Sequence, residues 1–129
     1  MHAYLWIALG SGLGGVARFW LSGVVARRFG ETFPLGTLVV NVTGCFVIGL
    51  AAAFGGPQAG ALGGPAVRQF IMTGFCGGYT TFSSFSLQTL SLARDGAWGY
   101  AVANVLLSLL PCLAAVYAGL VLGAALTPG

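Results

Sequence analysis

The sequence predicts an all-α membrane protein of four transmembrane helices. Three observations carry that prediction. Hydrophobic residues make up 57% of the chain and charged residues 5%, with a mean hydropathy of +0.94, whereas a soluble domain carries roughly 25% charged residues. Four apolar stretches are each long enough for the about 20 helical residues that cross a bilayer's hydrocarbon. The connections between them are short, leaving no room for a soluble domain, so residues 1–129 read as a single transmembrane unit. The runs are too long for barrel strands and do not alternate.

The first span covers about residues 3–26 and holds Arg18. No basic leader precedes its apolar run and no clean cleavage site follows, so it reads as a span and not as a signal peptide. Residues 27–32 (Arg-Arg-Phe-Gly-Glu-Thr) lead into the second span, about 33–54, which carries no charge. Pro34 suits its first turn. A stretch rich in Gly, Ala and Pro (55–64) precedes the third span, about 65–93. Arg94-Asp95-Gly96 then makes a tight turn before the fourth, about 97–126, with Pro111 inside it. Gly10/Gly14, Gly74/Gly78 and Gly119/Gly123 have the spacing that lets helices approach closely. Arg27, Arg28 and Arg94 fall on one side of the membrane and Arg68 on the other, which places both termini outside.

The charged residues exclude several functions. All five basic residues are arginine, Glu31 and Asp95 are the only acids, and the net charge is +3. No basic cluster exceeds Arg27-Arg28, so nucleic acid is not a partner. Cys45, Cys76 and Cys112 all lie in apolar segments, and three such thiols make no disulfide framework. No metal-ligand spacing appears, and no hydroxyl has a neighbouring His or acid to activate it as a nucleophile.

The third span contains "GFCGGYTTFSSFS" (74–86). A glycine inside a helix costs about 1 kcal/mol relative to alanine, and Tyr79, Thr80 and Thr81 are poor helix formers. Two readings fit: a helix broken near Gly77 to Thr80, or an intact helix whose glycines pack. Unwound backbone at membrane depth survives only where it is buried in protein or lines water, and its freed carbonyls suit a cation.

Polar residues fall into stripes. Thr80, Ser84, Gln88 and Ser91 recur at helical spacing, as do Asn104, Ser108 and Cys112; the second span adds Thr37, Asn41 and Thr43. Ser108 also suits repair of the Leu107 carbonyl that Pro111 leaves unbonded. Three stripes on three spans imply a narrow polar path. Within the spans there is no Asp, Glu, Lys or His, so the path has neither a proton relay nor the acidic ring usual for cations. Arg18 tilts the balance towards an anion, although snorkelling to the interface also accounts for it. Phe82 and Phe85 share a helix face, where they either pack or offer ring edges, which are positive, to an anion.

Three motifs, "GGVARF" (14–19), "GTLVVNVTGCFVIG" (36–49) and "GFCGGYTTFSSFS" (74–86), resemble those of the Fluc-type fluoride ion channels, a family also written CrcB. The resemblance implies passive export of cytoplasmic fluoride and hence fluoride resistance. It implies a third helix broken near its middle and an antiparallel, dual-topology homodimer with two pores in the cell membrane (the inner membrane of a Gram-negative source). It assigns the fluoride path to Asn41, Phe82, Phe85, Ser83, Ser84 and Ser108. It assigns a structural sodium ion (Na+) at the dimer centre to the backbone carbonyls of Gly77 and Thr80, and a place near the pore entrance to Arg18. Chains inserted both ways call for a weak charge bias, which the excess of arginine on one side opposes. Two other readings are a small multidrug-type transporter, which lacks its membrane-embedded glutamate here, and a structural subunit of a membrane complex, which leaves the polar stripes unexplained.

Overall fold

The computed structural model describes residues 2–55 and 57–127, and no strand occurs among them. Helices α1 (His2–Phe29), α2 (Leu35–Ala53) and α5 (Trp98–Leu126) are each long and apolar enough to cross a membrane. Pro34 caps α2 from just outside its first turn, and Pro111 is absorbed within α5.

The region expected as the third span is built differently. Helix α3, residues 65–79, starts as an α-turn at Pro65–Arg68, widens into a π-helix over Gln69–Cys76 and closes with a turn at Gly77–Tyr79. Thr80 (φ −80°, ψ 156°) and Thr81 (φ −149°, ψ 112°) are extended, and α4 then runs over Phe82–Arg94. At about 1.5 Å per residue, α3 and α4 are each roughly 20 Å long, short of the hydrocarbon thickness of about 30 Å.

Gly77 is helical (φ −63°, ψ −40°), so the extended joint lies beyond the glycine pair. The neighbouring glycines serve packing. A Cβ on Gly78 would run into the backbone of Ser11, and one on Gly74 into Gly10 and Ile7. Reciprocally, side chains at Gly10 or Gly14 would strike the backbone of Phe70, Phe75 and Tyr79. The contacts climb together along both chains, so α1 and α3 lie parallel. A second parallel pair is α2 with α5, where Gly49 meets the Val116 carbonyl, Gly119 meets Phe46 and Leu50, and Gly123 meets Leu50 and Ala53. Each of the three small-residue pairs read from the sequence therefore marks a real backbone-to-backbone approach.

The turns are set locally. Gly30 (φ 84°) ends α1, its N–H donating to the Ala26 carbonyl at 2.8 Å. Gly96 (φ 81°) ends α4 in a Schellman arrangement, with Gly96 N–H bonded to Ala93 and Ala97 N–H to Leu92. Pro57–Gly63 forms tight 3-10 turns kinked at Gly60.

Candidate ion path

The extended joint is held by α2. Asn41 accepts the Thr81 N–H at its Oδ1 (2.7 Å) and donates from Nδ2 to the Thr81 carbonyl (3.1 Å). One side chain thus satisfies both backbone groups of Thr81. One turn on, Gly44 leaves room for the Thr80 methyl and the Tyr79 ring, which a Cβ would strike. Thr43 donates to the Val39 carbonyl at 2.8 Å and receives the Tyr79 hydroxyl at 2.8 Å. The Thr80 hydroxyl and N–H both return to the Cys76 carbonyl (2.9 and 3.0 Å). Thr81 caps α4, its Oγ1 accepting the Ser84 N–H at 3.2 Å.

Two cavities meet at Thr81. The narrower, about 540 Å³, brings together Asn41, Phe82, Phe85 and Ser108 with Gly77 and Thr80. Among the described residues, its wall contains no ionisable group other than thiols. The Phe82 and Phe85 rings are 5.3 Å apart and tilted by 53°. Phe85 is buried, while Phe82 is 74% exposed and projects from the chain. The wider cavity, about 960 Å³, opens at the end of the molecule that carries Arg27, Glu31 and Asp95, and is lined further in by Arg18, Ser84 and Gln88. The stripe Thr80, Ser84, Gln88, Ser91 is therefore split by the joint: Thr80 faces one cavity, the other three the second. Ser83 lines neither; its hydroxyl sits 3.2 Å from that of Thr81.

Arg18 is half-buried, and its Nε donates to the Gly78 carbonyl at 3.2 Å. The guanidinium thus sits at the C-terminal, negatively polarised end of α3. Among the described residues, no donor meets the carbonyls of Gly77 or Thr80, and no acceptor meets the N–H groups of Phe82 or Ser83.

Ser108 donates not to the Leu107 carbonyl but towards Asn104 Oδ1, at 3.5 Å. Asn104, 2% exposed, donates to Thr89 Oγ1 (2.8 Å), which donates to the Phe85 carbonyl (2.7 Å). This chain ties α5 to the turn of α4 that holds Phe85. Sequence reasoning named Tyr79 and Thr81 only as poor helix formers, not as the groups that anchor the joint, and did not single out Thr89. The Thr80-Thr81 pair was the available signal, since β-branched residues favour extended backbone.

These features define a class: a multi-pass membrane protein in which α3 and α4 meet at an extended joint, between a cavity without charged side chains and a wider one lined by arginines and acids. A family profile described as CrcB-like protein, Camphor Resistance (CrcB), matches residues 5–120. The chain is 60% identical over 119 residues to the fluoride-specific ion channel FluC of Opitutus terrae, covering 92% of this chain and 90% of that protein. It is 50% identical over 123 residues to FluC of Methylocella silvestris (95% and 94% covered) and 52% identical over 116 to FluC of Rhodospirillum rubrum (90% of each). The chain belongs to the CrcB family.

Proposed function

We propose that this protein is a fluoride-selective channel that lets cytoplasmic fluoride leave passively and so confers fluoride resistance. The observation that carries the proposal is the single cavity that gathers Asn41, Phe82, Phe85 and Ser108 and excludes every carboxylate. Fluoride is small and strongly hydrated, so its path must supply replacement donors along its length. The Ser108 hydroxyl, once turned away from its long 3.5 Å bond to Asn104, the ring edges of Phe82 and Phe85, and the N-terminal N–H groups of α4 are such donors. Arg18 and Ser84 line the approach in the wider cavity. Asn41 serves the path by holding the joint, with its second amide hydrogen left for the ion. Ser83 enters through its hydrogen bond with Thr81. Several weak sites permit exit as well as entry.

In this reading α3 and α4 together make the fourth crossing. A second copy, inserted the opposite way, packs on the face that carries Gly77 and the exposed Phe82 ring, and each dimer has two pores. The carbonyls of Gly77 and Thr80 fit a hard cation, because they are oxygen donors without a protein partner on a face with open space around Gly77. Sodium bound there would add rigidity and a positive field. The test is efflux from liposomes carrying purified protein, read with fluoride and chloride electrodes. Fast fluoride efflux with negligible chloride efflux is expected; equal efflux of the two would overturn selectivity.

A further inference from the structure

Three cysteines, Cys45, Cys76 and Cys112, all line the narrower cavity, and all are free thiols. Two of them are brought opposite each other by the register of the parallel pair α2 and α5. Gly49 touches Val116 across that interface. One helical turn earlier on both helices stand Cys45 and Cys112, and one turn earlier again stand Asn41 and Ser108, which share the same cavity wall. Both thiols line that same wall, on facing helices. Cys76 lines the same cavity from α3, outside the α2–α5 register, and among the described residues no group of three or more His, Cys, Asp or Glu is gathered for a metal.

We propose that Cys45 and Cys112 form a two-thiolate site for a soft divalent cation that accepts linear coordination, of which the mercuric ion is the type, and that its occupancy closes the path. Thiolates select soft cations. Zinc asks for four ligands in a tetrahedron, which this rung does not offer. Charge decides between soft ions. A monovalent ion between two thiolates leaves an uncompensated negative charge in a low-dielectric wall, whereas a divalent ion leaves a neutral complex. The step balances without oxidation: two S–H bonds break, two metal–sulfur bonds form, and two protons leave to water. The bound metal bridges α2 and α5 one turn from Asn41 and Ser108, inside the cavity that fluoride is proposed to cross.

The site is independent of the fluoride reading; the closure rests on it. Two measurements therefore separate them. Purified protein with one equivalent of mercuric chloride is treated with N-ethylmaleimide and mapped by mass spectrometry. Protection of Cys45 and Cys112 with Cys76 still alkylated is expected, as is no protection with zinc chloride. Equal reaction of all three thiols, or protection of Cys45 in C112S that resists a competing dithiol as well as it does in the wild type, would overturn the site. In liposomes, loss of fluoride efflux on adding mercuric chloride is expected for the wild type and for C76S, and no loss for C45S or C112S, each against its own untreated rate. Protected thiols with undiminished efflux would overturn the closure.

Discussion

Replacing Asn41 by alanine should undo the joint between α3 and α4. The change leaves the Thr81 N–H and carbonyl without their partner, which now holds them at 2.7 and 3.1 Å. An orphaned buried group costs about 1–3 kcal/mol. Lipid offers no replacement, but the adjoining cavity of about 540 Å³ admits water, so the low end applies to each group and the total is about 2 kcal/mol. For a chain of this size that is a fall in Tm of about 8 °C in detergent. Stability loss alone does not test the reasoning, so a control of similar cost is needed. Val40 is fully buried beside Asn41 and touches packing alone; Val40→Ala should also cost about 2 kcal/mol through its cavity. Both variants should melt early, but only Asn41→Ala should lose fluoride efflux, because only it releases Thr81. Equal efflux from the two variants, or an unchanged Tm for Asn41→Ala, would refute the clamp.

Phe82→Ala and Phe85→Ala should both cut fluoride efflux, yet differ in stability. Phe85 is buried and its truncation should cost about 3–5 kcal/mol, while the 74% exposed Phe82 should leave the Tm of the single chain nearly unchanged. Unchanged efflux in both would reduce the pair to packing. Gly44→Ala adds a methyl that collides with Thr80 and Tyr79, an overpacking cost of about 1–3 kcal/mol; wild-type efflux and Tm would show that the joint does not rest on α2. Arg18→Met removes the donor to the Gly78 carbonyl and should cost about 1–3 kcal/mol, read as a lower Tm that Arg18→Lys partly restores.

The long helices were legible because hydropathy sums over 20 or more residues, so no single contact decides it. The glycine pairs were legible for a related reason: absence of a side chain is a property of the residue itself. The position of the joint was legible only to within a few residues: Thr80 lies in the stretch expected to break, from Gly77 to Thr80, and Thr81 just beyond it. Gly77 and Gly78 have the lowest helix propensity in the stretch, yet both remain in the helix, because α1 packs on the Gly78 backbone and the cost per glycine is small beside a tertiary contact. The chain lets go two residues later, where Asn41 can take over both backbone groups. That partner is 40 residues away in sequence, and no local pattern reports it. The single polar stripe across Thr80 and Ser84 failed for the same reason: helical spacing relates residues only while the helix continues. Asn104 and Ser108 were placed on one face from spacing, and α5 is continuous, so they share one.

An interrupted helix has an electrostatic consequence that an intact one lacks. Where α3 stops, its last carbonyls carry partial negative charge; where α4 starts two residues on, its first N–H groups carry partial positive charge, each equivalent to roughly half an elementary charge. In water such ends are screened, but within a bundle they persist. Asn41 neutralises only the residue between them, since both of its bonds go to Thr81, and Arg18 engages only Gly78. What stays open is sorted by sign: the Gly77 and Thr80 carbonyls for a cation, the Phe82 and Ser83 N–H groups for an anion. An ionised side chain at position 41 would destroy that sorting. Asn41→Asp keeps the acceptor for the Thr81 N–H but sets a carboxylate against the Thr81 carbonyl and beside the N-terminus of α4, where it competes with fluoride. Its efflux should therefore fall at least as far as that of Asn41→Ala, although one hydrogen bond of the clamp survives. Efflux restored towards wild type by Asn41→Asp would mean that the joint needs only an acceptor and that no anion approaches α4.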